Sequence, residues 1–323
     1  MILVYVIILF AAAVTIRQSV FLSPATLINL ARADIFTLCF AISEMVVMIS
    51  GGIDVSFPAI GCAAMYVPMY LFDRGMIPDN GLIFFLIALV CALILGIING
   101  VLVSYLNIPS LIATLATSSI AAGGLAFVFG VKAYTAIPAS LDAIYRMNIC
   151  TYIDKNTGIF YPLTILIVFP VILCVFMGWF LKHTSMGMGL YAVGGSASTA
   201  GTVGFNVHRI QMFAYVFSAG ITGITAALYV ILMHTVTTTS IMNSEMLVIA
   251  ACVIGGCKLT GGHGNVMGVV LGTLLITLIQ NYLNMLGIET VWQTFAVGIV
   301  LFLGITATSL RDKISLKQKG GAF

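Results

Sequence analysis

The sequence predicts an all-α fold: one polytopic transmembrane domain, residues 1–323, with about ten membrane-spanning helices. The first observation is composition, because 61% of the 323 residues are hydrophobic and only 7% are charged, whereas soluble domains carry about 25% charge. The second is that apolar runs recur at the length of about twenty residues that crosses a bilayer as a helix. The net charge of +3 is too small to favour a nucleic-acid partner.

The apolar runs divide the chain into ten expected spans. The first is interpreted as a span because it lacks the basic leader and cleavage site of a signal peptide. The eighth is short and ends in glycine, so we expect it either to stop inside the membrane or to be partly re-entrant. The spans lie at roughly 1–16, 33–50, 56–72, 81–105, 111–130, 161–181, 209–232, 245–256, 265–286 and 290–309.

Charge sets the expected orientation. An even number of spans places both termini on one side, and the basic tail, about 311–323, favours the cytoplasm. The polar connection at about 182–208 then lies on the cytoplasmic side. The longest outer loop, near 131–160, is expected to be either a small ordered surface that meets an external partner or a passive loop. Asp34 is assigned to the outer charges.

The stretch SGGIDVSF, residues 50–57, interrupts the apolar sequence between the second and third spans. Gly51 and Gly52 permit a tight break in the backbone. Asp54 and Ser56 can accept hydrogen bonds from free N–H groups at the start of a helix, as an N-cap does. One interpretation is therefore a turn with an Asp cap. The other is a broken helix beside a transport path, since irregular backbone at membrane depth needs protein or a wet cavity around it.

A second glycine-rich break, GGCKLTGGHG, occupies residues 255–264. It is not a phosphate loop, because the pattern G-x-x-x-x-G-K-[ST] is absent here and elsewhere in the chain. The chain therefore cannot supply a Walker-type ATPase itself. Lys258 and His263 are expected at a solvated surface. The helix-break candidates are Gly51, Gly52, Gly255, Gly256, Gly261 and Gly262.

Several polar side chains fall within the expected spans. Glu44 is the most costly of them, and an intramembrane carboxylate is by default a functional candidate; the alternative is a protonated or hydrogen-bonded packing residue. Uncharged polar groups either hold helices together or line a path for a hydroxyl-rich solute. The candidates for the translocation path are Glu44, Ser50, Asp54, Ser56, Asn99, Thr114, Thr117, Ser118 and Asn281.

The connection at 182–208 predicts two short surface helices offered to a cytoplasmic partner; the alternative is a passive loop. Gly194 and Gly195 are expected to form a turn, and Ser196, Ser198 and Thr199 to cap short helices. No catalytic motif is present, neither H-E-x-x-H nor G-x-S-x-G, so no catalytic residue is predicted. The seven cysteines are expected to pack between helices, and neither a disulfide framework nor a metal site is predicted.

Four ordered motifs resemble the permeases of ribose-type ATP-binding-cassette importers, which serve simple sugars and the autoinducer-2 signal. They are GGIDVS (51–56), GIINGVLVSYLNIPSLIATLAT (96–117), GMGLYAVGGSASTAGTVGFNV (187–207) and AACVIGGCKLTGGHGNVMGVVLGTLL (250–275). The match continues in register through IQNYLNMLGIETVWQ and covers about residues 30–310. Residues that depart from the family pattern include Glu44, Phe57–Pro58–Ala59, Ser196 and Cys257–Lys258, which suggests a divergent paralogue with a sister subunit; a homodimer stays open.

The resemblance implies a mechanism and partners. Two permease subunits form the path, separate cytoplasmic subunits bind ATP and Mg²⁺, and an extracytoplasmic binding protein delivers the solute. This chain then needs no cofactor of its own and lies in a bacterial inner membrane. The residues that would face the ATPase are Gly194, Gly195, Ser196, Ala197, Thr199 and Ala200. The expected function is import of a small polar solute such as a monosaccharide; the alternative is a proton-coupled secondary transporter with Glu44 and Asp54 as a relay.

Overall fold

The structure is a computed structural model that describes residues 23–153 and 158–289, together with 291–293, 295, 298, 299, 302 and 306. The first expected span, more than half of the tenth and the basic tail lie outside these residues. The elements are α1 Pro24–Ile49, α2 Phe57–Asp73, α3 Gly81–Ser104, α4 Ser110–Phe129, α5 Ala139–Tyr145, β1 Asn148–Ile153, β2 Phe160–Thr164, a 3₁₀ turn Ile165–Ile167, α6 Val168–His183, α7 Ser185–Gly195, α8 Ala197–Thr202, α9 Val207–Met233, α10 Glu245–Ile254 and α11 Val266–Met285.

Within the described residues, five helical segments are long and apolar enough to cross a membrane: α3, α4, the 3₁₀ turn with α6, α9 and α11. They coincide with five of the expected spans, and the total of about ten is not confirmed. The eighth expected span is indeed short. Its helix α10 has ten residues, or about 15 Å of helix, whereas the hydrocarbon core of a bilayer is about 30 Å thick.

Helix α1 lies at the centre of the bundle, with α9, α11, α10 and α6 packed around it. Its carboxyl-terminal half, from Cys39 to Ile49, is buried without exception. Helices α9 and α3 approach closely through small residues: a Cβ added to Gly96 would lie 2.3 Å from Ala219 Cβ, and one on Gly223 would lie 2.7 Å from Ala92 Cβ. Such contacts are how helices associate in lipid, where burial of apolar surface gives little driving force.

Both glycine-rich breaks begin as helix ends of the Schellman type. In α1 the N–H of Gly52 donates to Val47 O at 3.1 Å, and in α10 the N–H of Cys257 donates to Cys252 O at 2.9 Å. In this motif the residue just before the N–H donor has a left-handed backbone conformation. In α1 that residue is Gly51, with φ of +91°. Glycine is therefore required at this position by the backbone.

The longest outer loop, for which no secondary structure was predicted, contains a β-hairpin. Strands β1 and β2 pair there as an antiparallel hairpin, because β-branched and aromatic residues in NICTYI and FYPLT favour strands. The sixth expected span consequently becomes α-helical only at Val168. The end of the bundle that carries this hairpin is called the hairpin end below, and the end that carries Gly51, Gly194 and Gly261 is called the glycine end.

Contacts at the hairpin end hold the loop in place. Both carboxylate oxygens of Asp79 accept hydrogen bonds from the first N–H groups of α5, from Ala139 at 2.8 Å and Ser140 at 3.0 Å. Farther along, Tyr134 forms a β-bridge with Val236 after α9. These contacts join the loop to the connection between α2 and α3 and to the segment that follows α9.

Candidate functional site

The segment between α1 and α2 is neither helix nor strand, yet its backbone N–H donors are satisfied. The N–H of Ile53 donates to Ser110 Oγ at 2.9 Å, and that of Asp54 donates to Glu44 Oε1 at 3.1 Å. The acceptors come from the start of α4 and from the carboxyl-terminal part of α1. Two different helices therefore hold the first half of the segment.

The next two backbone donors are satisfied in the same way. The N–H of Val55 donates to Thr114 Oγ1 at 3.3 Å, and that of Ser56 donates to Asp54 Oδ1 at 2.8 Å. Asp54 therefore forms a turn with its own neighbour, and Ser56 gives no side-chain cap to α2. The expected turn with an Asp acceptor is present, whereas the expected contribution of Ser56 as a cap is not. All four consecutive N–H groups of residues 53–56 donate to side-chain acceptors.

Hydrogen bonds continue from this segment into α3 and α4. The hydroxyl of Ser56 donates to Asp54 Oδ1 at 2.5 Å and accepts from Asn99 Nδ2 at 2.7 Å. Asn99 Oδ1 accepts from Thr117 Oγ1 at 2.6 Å. Together with Glu44, Ser110 and Thr114, these side chains form what is called the polar network below.

The two acids of the polar network are buried without a basic partner. Glu44 and Asp54 are 0% and 1% exposed, and no lysine, arginine or histidine is among the buried residues in the described part of the chain. Glu44 Oε2 has no hydrogen-bond partner among the described residues. Because an uncompensated buried charge is costly, the network depends on hydrogen bonds for its stability.

A polar cavity of about 230 Å³ opens beside the break at the glycine end. Its described lining includes the hydroxyls of Ser50, Ser110 and Tyr215 and the side chain of Gln211, and contains no charged side chain. The buried Tyr215 hydroxyl has no partner among the described residues. It lies where a side chain on Gly52 would be, 2.4 Å from an added Cβ.

The structure brings most of the predicted path residues together. Ser50 donates from its hydroxyl to Val47 O at 2.7 Å and lines the cavity. Ser118 is half-buried on α4, outside the network. Asn281 lies on α11 and donates to Thr277 O, in its own helix, at 2.9 Å. The predicted residues that belong to the polar network are Glu44, Asp54, Ser56, Asn99, Thr114 and Thr117.

Three contributions were not foreseen in the sequence. Ser110 and Tyr215 carry no motif that distinguishes them from other polar residues in apolar helices. Asp34 could have been found, because an acid within a predicted span is a functional candidate. Its assignment to the outer surface is wrong: it lies in α1, accepts from Thr277 Oγ1 at 2.8 Å, and lines an apolar groove of about 850 Å³ between α1, α6 and α11.

The connection between α6 and α9 forms two short helices, α7 and α8, as expected. Gly194 and Gly195 end α7 and do not form the turn; the chain turns at Ser196, whose Oγ accepts from Thr199 N at 3.3 Å. A cleft of about 320 Å³ lies between the two helices. Of the candidate residues, four are exposed and two, Gly194 and Ala200, pack inward. The exposed ones are Gly195, Ser196, Ala197 and Thr199.

Comparison with known proteins identifies the family. The family described as the permease component of the branched-chain amino acid transport system matches residues 26–305. The chain belongs to this family. It is therefore a permease component of an ATP-binding-cassette transporter and a multi-pass membrane protein, and the resemblance carried by the four motifs is confirmed.

Curated relatives agree over nearly the whole chain. A probable ABC transporter permease protein, y4mJ, from Sinorhizobium fredii is 32% identical over 295 residues, which cover 90% of this chain and 82% of the relative. The autoinducer 2 import system permease protein LsrC of Salmonella paratyphi B is 28% identical, with 93% and 83% covered. The LsrC protein of Yersinia pseudotuberculosis is 30% identical, with 87% and 76% covered. No solved structure matches the chain.

Proposed function

We propose that this permease works in an importer and forms the membrane path for a small, neutral, hydroxyl-rich solute, such as a monosaccharide or an autoinducer-2-like compound. ATP and Mg²⁺ are bound by a separate cytoplasmic subunit, because the chain has no phosphate loop. The family match over residues 26–305 carries the proposal. The relatives named for autoinducer 2 import support the class of solute.

The chemistry of the interior favours an uncharged solute. Hydroxyl and amide groups line the cavity at the glycine end, and they can both donate to and accept from sugar hydroxyls. An amino acid would bring a carboxylate, and the buried part of the described chain offers no basic side chain to neutralise it. The amino-acid solute in the family's description is therefore the less suitable one here.

The segment of α7 and α8 is the proposed docking surface for the ATPase. It is exposed at Gly195, Ser196, Ala197 and Thr199, beside a cleft into which a partner side chain could insert. With this surface inside the cell, both termini are cytoplasmic and the hairpin end faces the binding protein. The second permease is a paralogue or a second copy, and the assembly lies in a bacterial inner membrane.

Uptake by the purified assembly tests the proposal. The complex is isolated from its native membrane, reconstituted in vesicles with ATP and Mg²⁺ enclosed, and supplied with its binding protein and radiolabelled ribose outside. We expect ATP-dependent uptake of the sugar and none of radiolabelled leucine. Uptake of leucine but not ribose would reject the neutral solute while leaving the importer intact.

A second candidate, proton-coupled transport, is favoured by one observation: Glu44 Oε2 has no hydrogen-bond partner in the described part of the chain, so no hydrogen bond there prevents this oxygen from carrying a proton. The same vesicles distinguish it. Uptake driven by a pH gradient across the membrane without ATP would support the relay of Glu44 and Asp54, and uptake that requires ATP would reject it.

A further inference from the structure

Three glycine pairs that are far apart in sequence meet at the glycine end. They belong to the end of α1, to the end of α7 and to the loop between α10 and α11. A Cβ on Gly261 would lie 2.6 Å from Gly51 Cα and 2.7 Å from Gly194 O, while Gly51 and Gly194 also face each other. The three backbones are thus in direct contact, and no side chain separates them.

The carbonyl of Ile49, the last residue of α1, lies at the centre of this contact. It accepts a hydrogen bond from Gly262 N at 2.9 Å. From the other side it meets Gly194, where an added Cβ would lie only 1.8 Å from Ile49 O and 2.6 Å from Gly262 N. The end of α7 therefore contacts the end of α1 directly through backbone atoms. This contact of Ile49, Gly51, Gly194, Gly261 and Gly262 is called the glycine junction below.

A side-chain hydrogen bond fastens the same helix to the loop. The hydroxyl of Tyr191 in α7 donates to Gly264 O at 2.8 Å. Tyr191 precedes Gly194 by one helical turn, so both are on the side of α7 that faces the bundle. Gly195, by contrast, is exposed and has open space around it.

We propose that Gly194 is a positioning residue through which α7 and α8 displace the end of α1, and with it the segment that carries Asp54. The inference rests on the proposed function, because it needs an ATPase to move α7. A backbone contact transmits a displacement well, since it contains no side chain that could change rotamer. The displacement then reaches Asp54 along the chain from Ile49 and also through Glu44, about 7.5 Å back along α1, which holds the N–H of Asp54.

A labelling experiment on the whole purified complex tests this inference. The reporter is Gln211→Cys, at the cavity beside Gly51 and Gly52. Its rate of reaction with a maleimide, located by peptide mass spectrometry, is compared between nucleotide-free and ATP–vanadate-trapped complexes. With Gly194 intact, we expect trapping to change the rate by about fivefold or more, the lower range of two-state coupling.

Two substitutions and one control complete the experiment. Gly194→Ala is expected to abolish the change in rate while the ATPase subunit is still retained, because its Cβ forces α7 away from Ile49. Tyr191→Phe, which should fold normally, is expected to reduce the change. Gly178→Ala in α6 adds a Cβ into open space and should leave the change intact.

The outcomes separate the two proposals. A full response in both Gly194→Ala and Tyr191→Phe would overturn the role of the glycine junction, and so would the absence of any response with Gly194 intact. Should Gly194→Ala fail to assemble, the result from Tyr191→Phe decides. Failure of the unmodified chain to retain any ATPase would instead contradict the proposed function.

Discussion

The polar network and the hairpin end hold their carboxylates in opposite ways. Asp54 is 1% exposed and is held by hydrogen bonds with no basic group near it. The Asp142 side chain is 30% exposed, forms an ion pair with Arg146 at 2.7 Å and is hydrogen-bonded to His234 Nε2 at 3.2 Å. Water can replace a lost contact at the hairpin end, where exposed ion pairs contribute little. Asp54 and Ser56 are buried in the bundle, so a lost acceptor there leaves a donor unsatisfied.

This difference predicts the largest effect for Asp54→Ala, which leaves the N–H and O–H of Ser56 without their acceptor. Each buried donor stranded in this way costs about 1–3 kcal/mol. We expect a sharp fall in the amount of complex that survives heating, measured by size-exclusion chromatography in mild detergent. The matched control, Asp142→Ala, should remain close to wild type. Equal losses in the two variants would remove Asp54 from the functional site.

The next effect concerns Glu44 and distinguishes its two interpretations. Glu44→Leu strands the N–H of Asp54 and should destabilise the complex by about 1–3 kcal/mol, whereas Glu44→Gln keeps an acceptor and should preserve both stability and uptake. Thermal stability and ribose uptake are measured for both variants. Normal stability together with abolished uptake in Glu44→Gln would show that the acid carries a proton.

A smaller effect is expected from Thr117→Val, which removes the hydroxyl that donates to Asn99 Oδ1. Hydrogen bonds between membrane helices average about 0.6 kcal/mol and reach about 1.7 kcal/mol, so the loss of stability should fall in that range. The neighbouring Ser118→Ala is the control, because Ser118 lies outside the network. A larger loss from Ser118→Ala than from Thr117→Val would contradict the assignment of the network.

The smallest effect on stability is expected from Asp142→Asn, and this effect should depend on pH. The hydrogen bond with His234, and then Arg146, hold the pKa of Asp142 below its usual 3.8. A carboxyl group with a lowered pKa stabilises the fold above that usual value and loses the contribution as pH falls through the lowered pKa. Any difference in unfolding temperature from wild type should therefore persist at neutral pH and disappear only in strong acid. A difference that vanished at neutral pH would argue against the ion pair with Arg146.

Sequence patterns predicted the helices well where a long apolar run alone marks the helix. Apolar runs located α3, α9 and α11 to within a few residues, and the glycine after Ser50 marked the end of α1. The outer hairpin was missed because the loop has mixed polarity and shows no regular alternation of apolar and polar residues. Strand β1 also forms only by pairing with β2. The strand pairing is a tertiary fact that the local sequence does not contain.

The individual residues of the site were predictable from the sequence, but the hydrogen bonds and contacts between them were not. Glu44, Asp54 and Asn99 were candidates because polar groups in apolar helices are costly. Their pairing depends on how α1, α3 and α4 cross, which no local pattern fixes. The glycine junction illustrates the same limit: each pair reads as a separate turn or helix end, and only the packed bundle brings Gly51, Gly194 and Gly261 into contact.

The account is tested most directly by what the protein binds in its own membrane. The tagged chain is purified in mild detergent from native membranes, and every retained protein is identified by mass spectrometry. The account predicts an ATP-binding subunit in the sample, and the presence or absence of a second permease sequence would distinguish a heterodimer from a homodimer. Recovery of the chain alone, active in vesicles with a proton gradient and no ATP, would contradict it.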